Sequence, residues 1–203
     1  MGDLSAEALA KAEARCRAAC AVTPDFADAP SGLRSHSLAL FGGRTLKIYT
    51  AGPLGFSEAG SAFHNNVIIP ELIRLGHEPL DPWRLTDQAK IDAVLALPYG
   101  ETRREAWRKL NVEIGGNNRA VIDRCDLVFA VLDGTDVDSG TAAEIGYAFA
   151  KAKKIIGYRG DFRLSADNEG SIVNLQVEYF IRQSGGQIIT RIADLAAALG
   201  GKP

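Results

Sequence analysis

The stretch Val131–Ala148, VLDGTDVDSGTAAEIGYA, decides how this chain is read. It begins inside an apolar run, Leu127–Leu132, that stops in an Asp-rich turn. A small-residue helix follows, expected over Gly140–Lys151, whose only charge before Lys151 is Glu144. A strand that ends in acidic residues and feeds such a helix places the lone carboxylate at the carboxyl ends of the strands. That edge is where open α/β sheets bind their ligands.

Reading outward, the pattern alternates. Leu46–Ala51 is a short apolar strand that stops at Gly52-Pro53. Glu58–Leu75 reads as a helix with Ile68, Leu72 and Leu75 on one face and Gly76 as its C-cap, with Pro70 as a point of kinking. Glu78–Leu80 is a second candidate strand. Residues 84–100 look like an insertion over the site. Residues 101–124 predict a long polar helix with a break at Gly115-Gly116. Lys154–Tyr158 and Gln187–Ile189 read as strands, and Ser171–Ser184 and Ile192–Leu199 as helices. This alternation predicts a doubly wound α/β domain over residues 45–203, a parallel sheet with helices on both faces. Right-handed crossovers bring every strand-to-helix loop to one edge. Residues 1–44 stand apart, an Ala/Glu/Arg-rich helix over 5–20 and then a linker punctuated by Pro24, Pro30, Gly32, Gly42 and Gly43.

The 203 residues suffice for one domain with a real core. A formal charge of −2, with no basic run, lacks the electrostatic footprint of a nucleic-acid binder. No apolar run reaches the ~18 residues of a membrane span, and the N-terminus lacks the features of a secretory signal. Cys16, Cys20 and Cys125 form no CxxC pair, and His36, His64 and His77 are far from the first two. Reduced thiols in a cytoplasmic protein without a metal are therefore expected. Neither a GxGxxG fingerprint nor a P-loop occurs, so no nucleotide cofactor is expected.

Three groups could carry chemistry. A lone helical Glu is ordinarily a solvated surface residue. Residues 139–150 hold no other charge, however, and a buried unpaired carboxylate is costly, so Glu144 reads as functional. Asp133, Asp136 and Asp138 suit turns and helix caps, and Asp138 stands where it can cap the helix. Asp138 and Glu144 in different environments could also divide nucleophile and acid roles. Tyr49 ends the first strand at the same sheet edge. It is either a core residue or a hydroxyl that orients a carboxylate.

The segments KIYTAGP at 47–53, NNRAVIDRCDLVFAVLDG at 117–134, DSGTAAEIGYA at 138–148 and VNLQVEY at 173–179 resemble the nucleoside 2-deoxyribosyltransferase family, over roughly residues 45–198. The resemblance implies a flavodoxin-like five-stranded sheet and transfer of 2-deoxyribosyl groups between nucleobases, with 2′-deoxynucleosides and free nucleobases as substrates. Glu144 then matches the nucleophile, Tyr49 the tyrosine that holds it, and Asp138 an aspartate that contacts the base. Gly52, Pro53, Phe56, Asn118, Asp133, Asn174 and Gln176 fall at substrate-binding positions. Asn174 matches an asparagine lent to a neighbouring subunit's site, which implies a homo-oligomer. Asn118 stands where some members carry Asp, and Gln176 where some carry Met. Two alternatives stand beside this reading. One is an N-glycosidase on the same fold, because DSGTAAE also looks like the GGxGTxxE motif of nucleotide phosphoribohydrolases, here without its Pro-Gly-Gly. The other is a non-catalytic nucleotide sensor.

Overall fold

The computed structural model describes residues 44–200. The expected N-terminal helix, most of the linker, and Cys16 and Cys20 lie outside that range. The elements run β1 (Lys47–Ala51), α1 (Glu58–Phe63), α2 (Ile69–Arg74), β2 (Glu78–Leu80), α3 (Gln88–Leu95), α4 (Glu101–Arg124), β3 (Leu127–Val131), α5 (Ser139–Ala150), β4 (Lys154–Tyr158), α6 (Leu175–Gln183), β5 (Ile188–Ile189) and α7 (Leu195–Leu199). All strand pairs are parallel, in the order β2-β1-β3-β4-β5. This is the flavodoxin-like arrangement, in which the chain reverses its direction of winding between β1 and β3.

Side-chain alternation decides what each strand offers to each face. Tyr49 and Ala51 of β1, with Val128 and Ala130 of β3, join the core under α4, α5 and α6, which includes Val121, Ile145 and Ile181. Ile48 of β1, with Leu127, Phe129 and Val131 of β3, joins the opposite core, which holds Ile68, Leu72 and Leu195. Every residue of β3 is buried, as a central parallel strand covered on both faces requires.

One expectation about helices is refined and a second is corrected. The helix expected over Glu58–Leu75 is divided by a π turn at His64–Ile68, whose exit is marked by the Ile69 N–H bonding the His64 carbonyl five residues back. Pro70 accounts for it. Its ring clashes with the carbonyl four residues earlier in a regular α-helix and it has no N–H to give. The wider turn relieves that clash. Gly76 (φ 85°) ends the helix as expected, with its N–H on Ile73 O and the His77 N–H on Leu72 O. Residues 101–124, by contrast, form one unbroken helix through Gly115-Gly116. Leu110, Val121 and Ile122 bury one stripe of it, and that packing outweighs the propensity cost of about 1 kcal/mol per glycine. The segment at 84–100 contains α3, which packs on α4.

Candidate active site

The site lies at the carboxyl ends of β1 and β3, where the winding reverses, the edge at which folds of this kind bind their ligands. Asp138 caps α5, its Oδ2 accepting from the Thr141 N–H at 2.9 Å and the Thr141 hydroxyl at 3.1 Å. Glu144 follows within the first two turns of that helix and faces back toward the sheet. Tyr49 reaches it from β1, and the phenol donates to Glu144 Oε1 at 2.6 Å. Asn118 reaches it from α4, where it shares a face with Val121 and Ile122, and its Nδ2 donates to the same Oε1 at 3.3 Å. Oε2 accepts no hydrogen bond from the described residues.

Burial pushes the Glu144 carboxyl above its ordinary range, and the nearby Asp138 charge pushes the same way. The hydrogen bonds from Tyr49 and Asn118 oppose them. Tyr49 is fully buried, and burial together with the Glu144 charge raises its pKa well above the ordinary phenol value. It therefore stays a neutral donor. The arrangement is a carboxylate with one oxygen fixed by two donors and the other available to a reacting carbon, beside a second carboxylate in a different environment.

The remaining predicted positions divide. Gly52 ends β1, where a side chain would place its Cβ 3.0 Å from Val131 Cβ. Pro53 leads into a 3-10 turn, Leu54–Phe56, that leaves the Phe56 ring 77% exposed. Asp133 does not reach Glu144 by hydrogen bonding. Its Oδ1 accepts from the Asp161 N–H at 2.9 Å and ties the loop after β3 to the loop after β4. Asn174 caps α6, its Oδ1 accepting from the N–H groups of Gln176 (3.0 Å) and Val177 (3.3 Å). Gln176 is exposed in the first turn. The expectation that α5 is largely buried holds for one stripe, Thr141, Ile145 and Ala148, while Ala143 and Ala150 are exposed.

Two features go beyond the sequence reading. Asn118 touches the candidate nucleophile itself, although the resemblance had suggested only the base. Asp81 and Trp83, in the turn after β2, stand beside the β1 loop, with Trp83 edge-on to Phe56 at a centroid distance of 4.8 Å. A Pro-Trp-Arg sequence directly after a short strand was the available signal. Arg159 is almost fully buried, and its guanidinium donates to the carbonyls of Leu132, Gly134 and Arg163. It thus fastens loops together. No metal-binding group of His, Cys, Asp and Glu occurs among the described residues, nor any helix long and apolar enough to cross a membrane.

Fold and site together define a flavodoxin-like α/β protein with Tyr49, Asn118 and Glu144 joined by hydrogen bonds near its switch point. The nucleoside 2-deoxyribosyltransferase family model matches residues 48–176, and the chain belongs to that family. Among solved structures, a conserved protein from Enterococcus faecalis V583 is 24% identical at a TM-score of 0.50, covering 77% of this chain and 98% of its own. A 2-deoxyribosyltransferase from Leishmania mexicana is 25% identical at a TM-score of 0.50, covering 76% of this chain and 95% of its own. The 2-deoxyribosyltransferase of Bacillus psychrosaccharolyticus is 23% identical at a TM-score of 0.48, covering 77% of this chain and 98% of its own. A search of curated proteins returned no match.

Proposed function

We propose that the protein transfers a 2-deoxyribosyl group from one nucleobase to another by double displacement at Glu144. One observation carries this reading: both donors hold Oε1, which leaves Oε2 as the attacking atom. Oε2 attacks C1′ from the face opposite the base. The C1′–N bond breaks, its electron pair leaves with the base, and a deoxyribosyl ester forms on Glu144. Asp138, whose Oδ2 is committed to the helix cap, contacts the base with its other oxygen; in its protonated form it gives its proton to the departing base and takes one back from the acceptor base in the second half-reaction. A second base then attacks C1′ from the vacated side and restores the free carboxylate. Two inversions give net retention.

Phe56 and Trp83 supply flat apolar surface for the base, and Asn118 borders the same site. Asn174 belongs to the reading as a group lent to a neighbouring copy. Its Oδ1 serves its own helix, so the Nδ2 is the atom it lends. Leu175 and Tyr179, exposed on that helix, suit a subunit contact.

The test is incubation with several 2′-deoxynucleosides and free bases, followed by chromatography. New nucleosides in the presence of acceptor support the reading. Free base and sugar alone, whatever acceptor is added, identify an N-glycosidase. Mass spectrometry of the protein with a donor and no acceptor is expected to show one added deoxyribosyl group, lost in Glu144→Ala.

A further inference from the structure

One cluster of polar side chains beside the site has no part in the chemistry above. It lies at the turn after β2. Asp81 is buried there and accepts from the Trp83 N–H at 3.0 Å. His64 Nε2 stands 3.2 Å from Asp81 Oδ1, and Arg84 Nε stands 3.3 Å from Asp81 Oδ2. Arg84 Nη2 also donates to Asn65 Oδ1 at 2.9 Å, while Asn65 Nδ2 donates to the Ser61 carbonyl at 2.9 Å. These two partners fix the orientation of the carboxamide, since only its oxygen accepts and only its nitrogen donates.

His64 and Asn65 are consecutive, and they open the π turn. Neighbouring side chains diverge by about 100° on a regular α-helix. Here both meet the same short turn, His64 at its first residue and Asn65 at its last. Such widened turns recur at functional positions.

The turn carries Trp83. A Cβ on Gly55 would come within 2.3 Å of the indole, so the ring lies directly against the backbone of the β1 loop. It meets Phe56 edge-on, at an interplanar angle of 89°. The two rings form an apolar wall at the ends of β1 and β2. Tyr49 is adjacent, since it pairs in register with Leu80, the residue before Asp81.

We infer that His64 and Asn65 are positioning residues which, through Asp81 and Arg84, hold the Trp83–Phe56 wall in place for the nucleobase. A buried histidine facing a buried carboxylate is a costly way to fill space, and apolar residues would pack as well. The polar groups instead meet the turn at its two ends, His64 by close approach to Asp81 without a hydrogen bond and Asn65 by a hydrogen bond from Arg84. The kinetic part of the test rests on the proposed transferase reading, whereas the binding part does not.

The experiment uses the full chain with Trp107→Phe, which leaves Trp83 as the only tryptophan of the two. Adenine and thymine are titrated against its fluorescence, and transfer kinetics are measured in parallel. Asn65→Ala and His64→Ala are expected to weaken base quenching and raise KM for donor and acceptor about tenfold, with kcat nearly unchanged. Asn65→Asp keeps an acceptor for Arg84 and is expected to retain the parent affinity. Unchanged base affinity in both alanine variants overturns the inference, as does a loss of kcat and thermal stability without a change in affinity. The absence of any base quenching in the parent also overturns it. If the parent binds base but transfers nothing, the transferase reading fails, and the fluorescence titration still decides the positioning role.

Discussion

Tyr49 donates to Glu144 Oε1 at 2.6 Å across 95 positions of sequence. The contact joins the second buried residue of the first strand to a helix that starts after the third. Because the phenol is fully buried, the bond is dry on one side, and it both orients the carboxylate and favours its charged form.

Tyr49→Phe tests that bond. The Tyr49 hydrogen bond lowers the Glu144 pKa, so its removal raises that pKa further. With the Glu144 carboxyl already pushed up by burial, the acid limb of kcat/KM is expected to move to still higher pH in this variant. Loss of a hydrogen bond to a charged group, about 1.5–3 kcal/mol, predicts a fall in kcat/KM of roughly tenfold to a hundredfold at neutral pH. A pH–rate profile measures both effects. A limb that moves to lower pH would contradict the assignment.

Glu144→Gln separates stability from activity. A carboxyl whose folded pKa is raised binds its proton more tightly folded than unfolded. The stability this provides is fully present below the unfolded pKa and is lost as pH rises through the folded one. The Gln variant is therefore expected to be more stable than the parent at pH 7. That advantage shrinks toward pH 4, while transfer is abolished at both. Denaturant titrations at the two pH values check the sign.

Asp138 carries two roles that two substitutions divide. Asp138→Ala removes the helix cap and is expected to destabilise by about 1 kcal/mol. Asp138→Asn keeps a capping oxygen, with a stability change within about half of that, and yet loses the carboxylate beside the base. Both remove a negative charge that raises the Glu144 pKa, so both shift the acid limb downward. Equal activity in parent and Asn variant would leave Asp138 as a cap alone.

Gly115 and Gly116 sit inside α4, where an added Cβ meets nothing within 4 Å. Ala at either position is expected to stabilise the protein by about 0.5–1 kcal/mol through the lower backbone entropy of the unfolded chain. Calorimetry measures it.

Much of this molecule is written locally. Apolar strands that stop in Gly-Pro or Asp-rich turns, each followed by a helix, define a parallel sheet. Short-range signals also mark Asp138 as a cap and Gly76 as a terminator. The isolated Glu144 stands out in its helix for the same reason, since charge and spacing are properties of neighbours in sequence. The packing of the cores is not local. Whether Gly115-Gly116 breaks α4 depends on the stripe that the rest of the helix buries, and the π turn reflects how Pro70 is accommodated in a packed helix.

The division is clearest at Glu144. The sequence by itself determined the strand, the turn and the carboxylate. Only the tertiary structure decided that Tyr49 points to the α5 face rather than the opposite one, that Asn118 shares the same oxygen, and that His64 and Asn65 reach the turn carrying Trp83. Those contacts depend on strand register and on the angle at which each helix crosses the sheet. Both are settled by packing among residues far apart in the chain, and no local pattern encodes them.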